Sequence, residues 1–155
     1  VDALDTIYRS VNSYPHLLEQ GLRGNPERQS PAELAHAARA LLDEVYWARI
    51  AEWRARYHQR SNEDRATTDL QRAARAATAG AVASLLVDMD QVIHGTVDDT
   101  DGQVTLAKEA SAETYGVADE VARRTLGTGG EVFSVRAEDM PDPGKPVAAI
   151  LRYPI

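Results

Sequence analysis

The sequence predicts an α/β fold, a three-layer α/β/α sandwich with a mixed sheet, preceded by one long helix. Three observations predict it. A continuous apolar run at 82–87 follows a helix-like segment and Gly80. The closing VAAILRY at 147–153 is a second such run, and DEVARRTLGTGGEVFSVRA at 119–137 repeats the order of helix, glycines and strand. Strands that are apolar throughout are covered on both faces, and helices interspersed among them supply the cover.

The elements follow in order. Residues 1–29 are broken by Pro15, Gly21, Gly24, Asn25 and Pro26 and read as a connector from a preceding domain, with a turn or two of helix in LLEQGL at 17–22. The start at Val1 rather than Met points the same way. At Ser30 the run S-P-A-E supplies an N-cap serine, a proline at the first helical position and Glu33 as the reciprocal cap, so a helix runs from 30 to about 60. A helix of that length spans about 45 Å, more than a small domain covers. Its apolar face drifts: Leu34, Ala38, Leu41, Leu42 and Val45 share one side, while Tyr46, Ile50, Trp53 and Tyr57 lie about a quarter turn further round. Either the helix changes packing partner along its length or its second half projects.

Residues 61–155 read as the α/β domain. A break at 61–64 precedes a second helix at 64–79 with Leu70, Ala73, Ala74 and Ala77 as a thin apolar edge, and Gly80 suits a left-handed stop. Segments 92–97 and 103–106 flank DDTDG and read as a hairpin, Asp101 and Gly102 supplying positive φ. A helix at 115–126 ending at Gly127, a strand at 131–136 and a last strand at 147–153 complete the order.

Charge narrows the partners. The formal net charge is −7, and its placement is uneven. Residues 1–80 hold eleven arginines, no lysine and eleven acids; residues 81–155 hold six basic residues against thirteen acidic ones. An acidic surface repels phosphate backbones, which disfavours nucleic acid as a partner of residues 81–155. With no cysteine there is neither a disulfide framework nor a thiolate metal site, and no apolar run reaches the ~18 residues of a membrane span. The expected location is the cytoplasm.

Several motifs invite chemistry. LLVDMDQVI at 85–93 resembles the first motif of haloacid dehalogenase-type phosphatases, in which Asp88 would be the nucleophile and Asp90 the acid beside Mg²⁺. That chemistry also requires a lysine and an acidic pair well downstream, and only 65 residues follow Asp90, so a strand ending in solvated acids is the favoured account. An EF-hand register on Gly102 places Val97 and Lys108 at its two terminal ligand positions, both wrong for calcium. His94 stands alone, and GTGG at 127–130 has its helix before and its strand after, the reverse of a phosphate cradle. The segment YWARIAEWRARYHQR at 46–60 could stack nucleic acid through Trp47, Arg54 and His58, but aromatics at helical spacing more often pack against protein. Tyr46, Trp47, Arg49, Ile50, Trp53, Arg56 and Tyr57 are therefore the expected partner contact, and the long helix is also a candidate homodimer surface.

Four marks in sequence, TDLQRAARAATAGAVASLLVD, HGTVDDTDGQV, DEVARRTLGTGGEV and the AAILRY ending, resemble the C-terminal domain of the bacterial archaeo-eukaryotic release factor family. They cover about 68–153, and GNPERQSPAEL at 24–34 follows more loosely. The resemblance implies the third-domain fold of those factors, a mixed sheet between helices. It implies a docking surface for protein partners: a ribosomal component, a translational GTPase or a second subunit. Peptide release in such factors belongs to a Gly-Gly-Gln loop of the middle domain. Here Gly129-Gly130 is followed by Glu131, so the resemblance implies a non-catalytic, ribosome-associated interaction module without catalytic residues, cofactor or metal in this chain. The alternative is the small phosphatase built on Asp88 and Asp90.

Overall fold

The computed structural model describes residues 2–22 and 24–155; Val1 and Arg23, part of the expected connector, lie outside the described residues. The chain divides between Glu52 and Trp53 into two compact units.

The first unit is helical. Helix α1 (Asp2–Val11) is held at its C-terminal end by Arg9, whose guanidinium donates to Asp5 at 2.9 Å and to the Leu18 carbonyl at 2.8 Å. A 3-10 turn (Pro26–Arg28) leads to α2 (Pro31–Ser61), which crosses the unit division. The expected capping box is present. The Ser30 amide donates to Glu33 at 2.7 Å and the Glu33 amide to Ser30 Oγ at 3.3 Å, satisfying two orphan donors of the first turn. Those contacts hold the Glu33 carboxyl below its ordinary range, Ser30 being the cause. The turn of helix expected at 17–22 is absent; the helix lies upstream at α1 instead. Leu4, Ile7, Tyr8 and Val11 carry the i, i+3, i+4, i+7 pattern there, and they are exposed.

The second unit is a mixed sheet between helices. Strands β1 (Ala66–Thr67), β2 (Val82–Asp88), β6 (Glu131–Val135) and β7 (Val147–Leu151) form a four-stranded sheet ordered β1-β7-β2-β6. β7 runs antiparallel to both β1 and β2, whereas β2 and β6 are parallel. A smaller sheet, β4-β3-β5, contains β3 (His94–Val97), β4 (Val104–Leu106) and β5 (Tyr115–Gly116). Helices α3 (Leu70–Thr78) and α4 (Val117–Gly127) cover one face of the main sheet. Ala73, Ala74 and Ala77 of α3 and Val121 of α4 meet Leu85, Val87 and Ala149 there. Short alanine side chains let α3 lie close to the strands. Leu86, Ser84 and Ile150 alternate to the opposite face, where the α2 residues from Trp53 onward provide the third layer through Trp53. Among the described residues no helix is long and apolar enough to cross a membrane.

Local structure differs from expectation in three instructive places. The second helix starts at Leu70, not at 64, because Asp69 caps it by accepting the Arg72 amide at 2.6 Å while Ala66 and Thr67 pair with β7. Gly80 takes φ 68° and α4 ends at Gly127, both as expected, and the left-handed residue of that wrapped end is Gly129, φ 74°. In the hairpin only Gly102 adopts positive φ, 72°; Asp101 does not. A Cβ on Gly102 would also stand 2.7 Å from the Arg75 Cα, so this glycine serves both the turn and the close approach of hairpin to α3. Tyr115, expected to be helical, bridges to β3 instead.

Leu86 is fully buried in the central strand. Leu86→Ala is expected to cost about 2–5 kcal/mol in urea unfolding; a loss below about 0.5 kcal/mol, the range of ordinary surface changes, would put this side chain outside the core.

Candidate functional site

Four residues of the expected partner contact lie in the first unit. Tyr46 packs edge to face against Trp47, ring centroids 5.1 Å apart at 74°. Trp47 is 46% exposed, Arg49 is exposed and Ile50 is buried. A half-exposed indole braced by a tyrosine is a rigid apolar surface with a polar edge, the kind of group that anchors protein contacts.

In the second unit the helix turns its aromatics inward. Trp53 is 0% exposed, and its indole N–H donates to Ser84 Oγ at 2.7 Å. Tyr57 stacks on it at 5.2 Å and 18°. Burial pushes the Tyr57 phenol up, and Asp142 adds to the shift. Arg54 donates to the Asp139 carbonyl at 2.5 Å, which ties this part of α2 to the segment before β7. Arg56 stays largely in solvent, 3.9 Å from Glu131. Of the expected contact residues, Ile50 and Trp53 are thus buried, Trp47 and Arg49 are exposed in the first unit and Arg56 in the second, and Tyr46 and Tyr57 are half-buried in their own units.

The acids of the phosphatase-like motif are occupied otherwise. Asp88 ends β2 with 1% exposure, its Oδ1 accepting the Asp90 amide at 2.9 Å to close a turn. Its Oδ2 is buried without a hydrogen-bond partner. Asp90 accepts from Arg136 at 2.5 Å and from the Ala137 amide at 3.2 Å, and these donors, the amide first, hold its carboxyl below the usual range. The two acids therefore shape the β2 and β6 ends. Among the described residues no group of three His, Cys, Asp or Glu gathers to hold a metal ion.

The acidic hairpin is a built structure. Asp98 Oδ1 accepts the Thr100 amide at 2.7 Å and the Asp101 amide at 3.1 Å, which keeps its carboxyl low. Arg124 fastens the turn to the helices: its guanidinium donates to Glu120, Thr78 Oγ1, the Val97 and Asp98 carbonyls and Asp99. Glu120 also accepts from Arg123, and that bond first, with Arg124 second, brings its carboxyl down to about 2. Sequence reasoning missed Arg124. The signal was its i+4 spacing from Glu120 at the end of a helix facing an acidic turn.

The family model of bacterial archaeo-eukaryotic release factor family 8 matches residues 2–50. Its match falls where the sequence marks are loosest; the marks at 68–153 find their counterpart in fold. The C-terminal domain of a peptide chain release factor from Methanosarcina mazei superposes with a TM-score of 0.56 at 13% identity, covering 83% of this chain and 98% of that one. Dom34 of S. cerevisiae, a translation termination-like factor involved in RNA quality control pathways and interacting with Hbs1, gives 0.50 at 17% identity over 82% of this chain. An archaeal Pelota, ribosome-bound together with ABCE1, gives 0.50 at 18% identity over 99%. This chain spans only 31% and 40% of the latter two. No curated protein matches with significance. The chain thus resembles the release factor family in sequence over residues 2–50 and shares the α/β fold of a release factor C-terminal domain.

The depressed Glu120 carboxyl makes a contribution to stability that is complete above its ordinary value of 4.5 and is lost as pH falls toward about 2. Acid titration of the unfolding midpoint is expected to drop across that window, and Glu120→Gln to flatten it. A wild-type drop that the substitution leaves unchanged would assign the acid loss to other groups. Asp88→Asn keeps the acceptor for the Asp90 amide and removes the charge from the orphaned oxygen, so it is expected to unfold at the same or higher urea. Asp88→Ala loses the acceptor and is expected to cost about 1 kcal/mol. Equal losses in both variants would mean that the buried charge itself has a partner.

Proposed function

We propose that this chain is a non-catalytic protein-interaction module of a release-factor-like protein that works on the ribosome, in termination, rescue or regulation of translation. The observation that carries the proposal is the fold: the likeness to a release factor C-terminal domain covers 83% of this chain and nearly all of that domain. Two further observations support it. Asp88 and Asp90 are engaged in shaping the strand ends, and the acidic excess lies in residues 81–155, a balance suited to protein rather than to a phosphate backbone.

In this reading residues 1–29 lead from a preceding domain, 30–60 form an arm and 61–155 the docking body. The partner is a protein of the translation machinery, a ribosomal component or a translational GTPase, which entails a cytoplasmic location. Trp47 is the side chain chosen as the anchor, since it is the half-exposed aromatic of the arm. Homodimerisation through the same helix is the competing use of that residue.

Purified chain is expected to pellet with ribosomes through a sucrose cushion with a shallow dependence on salt. Contact through rRNA would instead weaken steeply, in proportion to the number of phosphates neutralised. Trp47→Ala is expected to weaken pelleting by about thirtyfold, the ≥2 kcal/mol of an aromatic anchor. Absence of pelleting at low salt, or Mg²⁺-dependent phosphate-ester hydrolysis abolished by Asp88→Asn, would overturn the proposal.

A further inference from the structure

The first unit contains a groove of about 340 Å³ that the arm's anchor does not use. Leu41, Val45 and Ala48 of α2 line it together with Leu18 of the preceding loop, and Glu44 and Glu19 stand among them. Positions 41, 44, 45 and 48 fall at i, i+3, i+4 and i+7, one stripe of the helix. This is the first of the two apolar faces that drift along α2, and it is left open: Val45 is exposed, as is its neighbour Leu42.

Charge says what covers it. Neither Glu19 nor Glu44 has a hydrogen-bond or ion-pair partner among the described residues, although Arg9 and the Ser30–Glu33 box show that the unit pairs its polar groups elsewhere. Two free carboxylates beside an aliphatic floor repel an acidic segment and attract a cationic one. The volume lies at the lower end of the ~300–1,000 Å³ of ligand pockets, enough for side-chain anchors rather than a whole helix. A helix laid beside α2 would insert such anchors in the helix-in-groove manner.

We propose that this groove docks an amphipathic helix of another protein, with aliphatic anchors at i and i+4 flanked by Lys or Arg that pair with Glu19 and Glu44. The inference rests on reading the chain as a protein-interaction module and gives the partner its chemistry. Most of the affinity comes from the buried anchors; the exposed ion pairs supply orientation and discrimination.

The test uses the full chain and two fluorescein-labelled helical peptides that share leucines at i and i+4, one flanked by lysines and the other by glutamates. In fluorescence anisotropy the lysine peptide is expected to saturate and the glutamate peptide to bind at least about tenfold more weakly. Val45→Asp is expected to abolish saturation. Glu44→Lys, which changes an exposed side chain and leaves the helix intact by circular dichroism, is expected to weaken the lysine peptide about fivefold. Glu19→Lys combined with Glu44→Lys is expected to reverse the preference. Failure of the lysine peptide to saturate, equal affinity for both peptides, or indifference to the glutamate substitutions would overturn the proposal. So would a concentration-dependent dimer in sedimentation that Val45→Asp disperses, since a second copy would then fill the groove. A chain that pellets with ribosomes but ignores the lysine peptide refutes the groove alone; one that binds the peptide but not ribosomes refutes the ribosomal reading alone.

Discussion

The guanidinium of Arg124 ties together the parts of the second unit that the main sheet cannot reach. Its side chain is 8% exposed, so its charge has been taken out of water at a cost of several kcal/mol. What offsets the cost is a full set of acceptors: Glu120 at 2.7 Å on its own helix, Thr78 Oγ1 at 2.7 Å on α3, and Asp99 at 2.6 Å with two carbonyls at the hairpin turn. One planar group therefore fixes α4, α3 and the β3–β4 turn in a single geometry, and an arginine does so because its five donors radiate from a rigid fork. Gln71 repeats the device on a smaller scale, accepting the Val104 amide at 2.9 Å and donating to the Gly102 carbonyl at 3.1 Å. The acidic hairpin is thus held in place from beneath, with Asp99 and Asp101 still presented to solvent.

Where the chain's local chemistry is self-sufficient, the sequence is readable. The Ser30–Glu33 box, the left-handed Gly80 and the apolar run of β2 each require only neighbouring residues to be understood, and each stands where expected. β1 and β5 consist of two residues apiece and exist because β7 and β3 lie alongside them; no propensity announces a strand that short. α4 ends at Gly127 as expected, but the left-handed residue of its wrapped C-terminus is Gly129, where the Gly130 amide returns to the Thr125 carbonyl at 2.8 Å. Helix α1 is a different failure. Its apolar spacing is plain in Leu4, Ile7, Tyr8 and Val11, but Pro15, Gly21, Gly24 and Pro26, which follow it, are the signature of a connector.

The long helix shows how a drifting face resolves. A quarter-turn shift of the apolar stripe left open whether the second half of α2 packs or projects. Trp53 decides it: a fully buried indole whose N–H finds Ser84 on the central strand belongs to a packed layer, because a buried indole without an acceptor would be costly. The serine is the readable clue. A single hydroxyl inside the apolar run 82–87 implies a polar partner arriving from the far side of the sheet.

Asp88 and Asp90 illustrate why a strand followed by Asp-x-Asp is so easily taken for catalysis. An acid at the end of a buried strand is useful in two unrelated ways, as a ligand holder at the sheet's carboxyl edge and as an acceptor that turns the chain out of the strand. The chemical use requires both carboxylates to face one point with free oxygens. Here Asp88 spends one oxygen on the turn that begins at Met89, and Asp90 spends both on Arg136 and Ala137, which belong to the neighbouring parallel strand's exit. The second acid therefore joins the ends of β2 and β6. Of the four carboxylate oxygens of this pair, Asp88 Oδ2 is the one without a hydrogen-bond partner, and it is buried. A buried carboxylate oxygen without a donor is a cost to folding, which the turn closed by the other oxygen of Asp88 must offset.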